Sequence, residues 1–203
     1  MLPIPFKGWY AGVGSRETPE EILALMYRLS QALYAQGYAL SSGDAEGADT
    51  AFYEGAVSSP HYHQLGARIY LAWNGVGKEG KKRYHDPKNY FYDASQFPTW
   101  ETATSIALEA RGSWEGLGRG GIAMHTRNVF QIMGADLTSP VSSIIYWGKP
   151  VGKTEKVKGG TNTALQLAIK CGVKNRINLN TDEGMERATK FLDQYGNELK
   201  GAT

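Results

Sequence analysis

Short apolar runs alternate along the chain with stretches of helical period. The apolar runs cover residues 8–13, 38–41, 67–73, 142–147 and 176–179, and we predict a β-strand for each. None of them alternates strictly between apolar and polar residues, which is typical of parallel strands buried on both faces. After the first run, Ile22, Met26, Leu29 and Leu33 recur at spacings of four, three and four. That spacing predicts a helix, with Thr18 as its N-cap and an end at Gly37.

The remaining helical patterns follow the other apolar runs. We predict helices through Phe52 and Ala56, over 101–110, 122–133 and 164–170, and from Thr181 onward. Strands that alternate with helices favour a parallel sheet. The sequence therefore predicts an α/β, Rossmann-like fold, with a mostly parallel sheet covered by helices on both faces, in a single domain over residues 1–203.

The pattern fails over the 27 residues 74–100. Structureless segments of this length are uncommon in compact domains and are often functional, so we predict a long insertion or lid after the third strand. The segment places Lys81, Lys82 and Arg83 close to Tyr84, Tyr90 and Tyr92. These tyrosines either stack on nucleic-acid bases or pack in the core, and packing is the favoured interpretation.

Composition limits the classes of partner and the compartment that we expect. The 22 basic and 20 acidic side chains give a net charge of +2, which is too balanced to indicate nucleic-acid binding by bulk charge. The single cysteine, Cys171, suits a reducing compartment, and no run approaches the roughly 18 apolar residues of a membrane span. We expect a cytoplasmic protein with no membrane partner. Glycine is abundant, at 25 of 203 residues, and clusters where strands lead into helices.

Three of these glycine-rich junctions share one chemistry. Each places small hydroxyls and backbone N–H groups before a helix: Gly14 and Ser15, Ser42 and Gly43, and Gly160 and Thr161. Free N–H donors and the positive end of the helix dipole favour an anion at such a junction. Because the carboxyl ends of parallel strands meet at one sheet edge, we expect the three loops to converge there.

Two apparent cofactor motifs are incomplete. Residues 12–17 (GVGSRE) begin like a dinucleotide fingerprint, but Glu17 stands where the third glycine belongs. Residues 148–154 (GKPVGKT) resemble a Walker loop but have three residues between the glycines instead of four. The sequence therefore predicts no cofactor, and no His, Cys or carboxylate spacing predicts a metal site.

The loops resemble those of the SLOG superfamily, which includes the DprA DNA-processing proteins and the LOG phosphoribohydrolases. The resemblance covers nearly the whole chain and rests on residues 12–16 (GVGSR), 42–49 (SGDAEGAD), 124–128 (MHTRN) and 159–164 (GGTNTA). It implies a nucleotide-type ligand, with Arg127 on the phosphate side, and a homo-oligomer.

Two departures from the family patterns bear on function. Glu46 stands where DprA proteins usually have an arginine beside the anion pocket, and a carboxylate there repels a phosphate backbone. Gln166 stands where the LOG enzymes have their catalytic glutamate, and a neutral amide is no general acid or base near neutral pH.

The hypothesis that follows is binding of a nucleotide-derived phosphorylated ligand, for sensing or sequestration, without turnover and without catalytic residues. Three alternatives stay open: a DprA-like mediator that binds single-stranded DNA, a nucleoside monophosphate N-glycosidase that uses Glu46 or Asp44, and a scaffold with a vestigial pocket. The predicted ligand-binding residues are Gly14, Ser15, Arg16, Ser42, Gly43, Asp44, Ala45, Asp49, Arg127, Asn128, Gly159, Gly160, Thr161, Asn162 and Thr163.

Overall fold

The computed structural model describes residues 3–75 and 83–195, which form six β-strands and seven α-helices. The strands are β1 (Gly8–Gly14), β2 (Tyr38–Ser42), β3 (Ala67–Leu71), β4 (Phe91–Asp93), β5 (Ser143–Trp147) and β6 (Asn175–Asn178). The helices are α1 (Glu20–Ala35), α2 (Ala48–Val57), α3 (Tyr62–Leu65), α4 (Trp100–Arg111), α5 (Arg119–Met133), α6 (Thr161–Lys170) and α7 (Asp182–Tyr195).

The strands form one sheet in the order β4-β3-β2-β1-β5-β6, and every pair is parallel. The chain runs outward from β1 through β2, β3 and β4, then crosses to the other side of β1 and continues with β5 and β6. This reversal between β1 and β5 is a topological switch point, where ligands of open α/β sheets bind. The predicted Rossmann-like α/β fold is confirmed.

Each face of the sheet has its own apolar core. Along β5, Ile145 and Trp147 pack with α1, α2 and α7, whereas Ile144 and Tyr146 pack with α4, α5 and α6. All four side chains are buried. Because successive residues of a strand point to opposite faces, a sheet covered on both sides needs consecutive apolar residues.

The long insertion after the third strand is not confirmed. Its described part, residues 83–100, contains β4, which pairs with β3 through Ile69 and Phe91 and extends the sheet. A three-residue strand is too short to produce a recognisable period, so the sequence pattern missed it. Lys81 and Lys82 lie outside the described residues.

The tyrosines of this segment differ in their surroundings. The Tyr90 ring packs edge-on against Tyr62 at 5.4 Å, and the Tyr92 ring lies 6.1 Å from that of Tyr70. Tyr84 is 58% exposed. Core packing therefore accounts for Tyr90 and Tyr92, as the favoured interpretation expected.

Helix α1 begins differently from the expectation. Pro19 is its N-cap and no side chain caps it, because the Thr18 hydroxyl donates to the Ser15 carbonyl at 2.6 Å instead. The predicted stop is correct: Gly37 adopts a φ of 87°, a left-handed conformation that glycine tolerates.

Among the helices described, none is long and apolar enough to cross a membrane.

Candidate functional site

A cavity of about 380 Å³ opens at the switch point between β1 and β5. It lies at the carboxyl ends of the strands and has the size of a small-molecule site. Its lining comes from the loop after β1, the start of α2, one face of α5 and the start of α6. The lining residues are Val13, Gly14, Ser15, Arg16, Glu17, Ala45, Asp49, Met124, His125, Arg127, Asn128, Gln131, Lys158, Gly159, Gly160, Thr161 and Ala164.

The loop after β1 is a tight turn. The Ser15 hydroxyl accepts the Glu17 N–H at 3.1 Å, and the Ser15 carbonyl accepts both donors of Thr18. Gly14 leaves room for α2, since a side chain there would overlap the Ala48 methyl group. The turn therefore presents a rigid backbone edge to the cavity.

The N-terminus of α6 forms the opposite wall. Gly160 is the N-cap and no side chain caps this helix. Among the described residues, the N–H groups of Gly160 and Thr161 have no hydrogen-bond acceptor. Asn128 of α5 donates to the Gly160 carbonyl at 3.2 Å, which fixes the loop against α5. Two free donors and the positive end of a ten-residue helix thus border the cavity.

The middle loop lies largely behind the cavity. The buried Ser42 hydroxyl donates to the Gly12 carbonyl at 2.6 Å and links β2 to β1. Asp44 lies 3.8 Å from Arg83, and its burial raises the pKa of the Asp44 carboxyl to about 6, against the lowering effect of Arg83. Neither Ser42 nor Asp44 lines the cavity, and from this loop only Ala45 does.

A buried ion pair joins α5 to α2 at the cavity wall. Arg127 Nη1 lies 3.2 Å from Asp49 Oδ2, and the two residues are only 5% and 3% exposed. The same Asp49 oxygen accepts the Ala45 N–H at 3.3 Å. Burial raises the pKa of the Asp49 carboxyl, and the Arg127 charge opposes the rise. Gly43 makes the pair possible, because a side-chain Cβ at this position would occupy the place of Arg127 Nη1.

Two polar side chains at the cavity retain unused hydrogen-bonding atoms. Within the described part of the chain, Arg127 Nε and both amide atoms of Gln131 are buried without a partner. Gln131 is 1% exposed and lies one helical turn after Arg127 on α5. Buried unpartnered polar atoms are rare, and each one calls for an explanation.

His125 also lines the cavity, and the Nδ1 atom of its imidazole lies 2.8 Å from the Thr163 hydroxyl. The indole of Trp114 lies 6.1 Å from the imidazole ring. Burial, together with the charges of Arg111 and Arg127, lowers the pKa of His125 to about 4. The ring is therefore neutral near pH 7 and offers the cavity a hydrogen bond instead of a charge.

This shifted pKa predicts a pH dependence of stability. Between pH 6.5 and about 4 the unfolded chain protonates His125 while the folded protein does not, so the free energy of unfolding falls as the pH falls through this window. For this half-buried ring we expect a loss of about 1–3 kcal/mol. Urea unfolding of the wild type and of His125→Gln at pH 7 and pH 4.5 measures it.

Comparing the wild type with His125→Gln isolates the contribution of the His125 imidazole to the pH dependence of stability. Asp44, whose raised pKa acts in the opposite direction, is present in both proteins and cancels. The stability lost between pH 7 and pH 4.5 should be smaller in His125→Gln. Equal losses in the two proteins would refute the role assigned to His125.

Charged side chains surround the cavity mouth. Residues 149–158 form a hairpin closed by the Pro150–Val157 bridge, and its last residue, Lys158, lines the cavity. Lys149 lies 2.8 Å from Glu17, and this hydrogen bond lowers the pKa of the Glu17 carboxyl. Arg16 is exposed beside them. The mouth thus combines three cations with one carboxylate.

Most of the predicted binding residues meet at this cavity. Those that line it are Gly14, Ser15, Arg16, Ala45, Asp49, Arg127, Asn128, Gly159, Gly160 and Thr161, whereas Ser42, Gly43, Asp44, Asn162 and Thr163 do not. Asn162 accepts the Val157 N–H at 3.1 Å. The predicted binding residues omit His125 and Gln131, although Gln131 follows Arg127 by four residues on a predicted helix. Lys158 belongs to the lysine run 149–158, which the sequence indicates as a positive rim before the third loop.

No metal-ligand cluster of three His, Cys, Asp or Glu side chains occurs among the described residues. Comparison of the chain with protein-family models, curated proteins and solved structures gave no match.

Proposed function

We propose that this protein binds a nucleotide-derived phosphorylated ligand in the cavity between β1 and β5 and does not turn it over. The observation that carries the proposal is the buried Arg127, with an unpartnered Nε, in the same cavity as the open N-terminus of α6. A guanidinium and free backbone N–H groups are the donors that proteins use for phosphate.

The charges of the cavity support an anion. Asp49 matches the charge of Arg127, and Glu17 is paired with Lys149. Arg16 and Lys158 then remain as excess cations among the lining residues. Together with the α6 dipole they favour a phosphate between the α6 N-terminus and Arg127.

The carboxylates of the cavity support binding without turnover. Among the described lining residues, the carboxylates are Asp49, which is held by Arg127, and Glu17, which is held by Lys149. The acids considered for an N-glycosidase, Asp44 and Glu46, do not line the cavity. Gln166, at the position of the LOG glutamate, donates to Asn162 at 3.5 Å. The N-glycosidic bond between the sugar and the base of such a ligand therefore lacks an available general acid.

A matched pair of lysine variants tests the anion site. Lys158 and Lys153 are exposed on the same hairpin, but only Lys158 lines the cavity. We expect nucleoside 5′-monophosphates to raise the melting temperature of the wild type, since a ligand at 100 times its Kd stabilises by about 2.7 kcal/mol. Lys158→Ala should weaken binding about three- to tenfold, whereas Lys153→Ala should leave it unchanged.

Two further measurements separate the alternatives. Binding of a mononucleotide should show a shallow dependence on salt, whereas tighter binding of single-stranded DNA with a steep salt slope would favour the DprA-like function. Free base released on incubation with nucleotides would favour the N-glycosidase. No thermal shift across the nucleotide panel would refute the proposal and leave the scaffold.

A further inference from the structure

The amide of Gln131 is the least satisfied polar group at the cavity. Both its Oε1 and its Nε2 are buried without a partner in the described part of the chain, and the residue lines the cavity. An amide has one acceptor oxygen and two donor hydrogens, so several hydrogen bonds are unmade. Buried amides in folded proteins normally have partners, so an unpartnered amide beside a cavity calls for a partner from outside the chain.

The backbone of Gln131 is fixed, but the end of its side chain can turn. Its carbonyl accepts the Ser41 hydroxyl of β2 at 2.7 Å, and the neighbouring Phe130 and Ile132 are fully buried. Helix α5 therefore holds its position at this point. The terminal torsion of glutamine has a broad, roughly two-fold energy profile, so the amide can present its oxygen or its nitrogen to a neighbouring group without a change in the helix.

The position of Gln131 relative to the proposed phosphate selects which ligand group it meets. Arg127 and Gln131 are four residues apart on α5, so their Cβ atoms are neighbours at about 5–6 Å. In a nucleoside 5′-phosphate, the sugar follows the phosphate directly and the base lies beyond it. With the phosphate at Arg127, the part of the ligand that meets Gln131, one helical turn further along α5, is therefore the sugar.

We propose that Gln131 determines specificity for ribose over 2-deoxyribose, with its amide donating to one sugar hydroxyl and accepting from the neighbouring one. This inference rests on the proposed function. Vicinal hydroxyls offer both donors and acceptors, which matches the two unpartnered ends of the amide. A sugar without the 2-hydroxyl leaves one end of the amide unpaired in a buried site, where the loss is costly.

Sugar phosphates without a base test the inference. Calorimetry measures the affinities of ribose 5-phosphate, 2-deoxyribose 5-phosphate and inorganic phosphate for the wild type, for Gln131→Met and for the control Gln31→Met. Gln31 lies on α1, remote from the cavity lining, and donates to Ser58 at 3.0 Å. Methionine keeps the length of the side chain and removes only unpartnered atoms, so Gln131→Met should fold.

We expect the wild type and Gln31→Met to prefer ribose 5-phosphate about tenfold or more over the deoxy sugar. In Gln131→Met this preference should fall to about twofold or less, with the affinity for inorganic phosphate unchanged. Equal binding of the two sugars by the wild type, or a preference that survives in Gln131→Met, would overturn the inference and leave the phosphate site standing. Failure of all three probes to bind the wild type would overturn the proposed function as well.

Discussion

Replacing Asp49 with alanine is expected to lower the free energy of unfolding by about 3–5 kcal/mol, because it leaves the buried guanidinium of Arg127 without its counter-charge. Asp49 is 3% exposed and Arg127 5% exposed. The change also removes the acceptor of the Ala45 N–H, which holds the loop after β2. Urea unfolding at pH 7, followed by tryptophan fluorescence, measures the loss.

Two controls show whether the buried charge is the cause. Asp193→Ala removes an exposed carboxylate from α7 and should change the stability by less than about 0.5 kcal/mol. The double variant Asp49→Asn/Arg127→Met removes both charges of the buried pair and keeps an oxygen for the Ala45 N–H. It should recover at least half of the loss, whereas a double variant as unstable as Asp49→Ala would contradict the explanation.

Replacing Phe130 with alanine is expected to cost about 3–5 kcal/mol, the range for a large side chain removed from a packed core. Phe130 is fully buried on α5. Its ring stacks on Trp100 with centroids 6.1 Å apart, and it packs edge-on against Phe97 at 5.2 Å. These contacts hold the helix that carries Arg127, so ligand affinity should fall together with stability.

The control for Phe130 is an apolar residue on the neighbouring helix. Leu108 of α4 is 37% exposed, and Leu108→Ala should cost about 1 kcal/mol or less. The same urea unfolding assay applies to both variants, and calorimetry with ribose 5-phosphate measures the affinity. A loss below about 1 kcal/mol for Phe130→Ala would show that the aromatic cluster does not anchor α5.

The stability losses expected for the Asp49 and Phe130 variants both concern helix α5. The sequence pattern places a helix over 122–133, and the structure extends it to Arg119–Met133. Phe130 of this helix packs into the core, and Arg127 and Gln131 of the same buried stretch line the cavity. A single element thus couples stability to the candidate site.

The sequence by itself determined the architecture. Apolar runs without polar alternation specify strands buried on both faces, and helical spacing between them specifies the covering helices, because both patterns are local consequences of backbone geometry. Glycine and small hydroxyls at 14–15 and 160–161 likewise indicated the two loops that border the cavity.

Only the tertiary structure decided which side chains meet. Arg127 lies 78 residues from Asp49 in the sequence. The absence of a side chain at Gly43 acquires its meaning only when α5 places the Arg127 guanidinium there. The three-residue strand β4 exists because β3 offers it an edge, not because its own sequence demands a strand. Local patterns determine which segments form strands and helices, whereas long-range packing determines which distant residues come into contact. The amide of Gln131 is therefore recognisable as a candidate specificity group only in the folded chain.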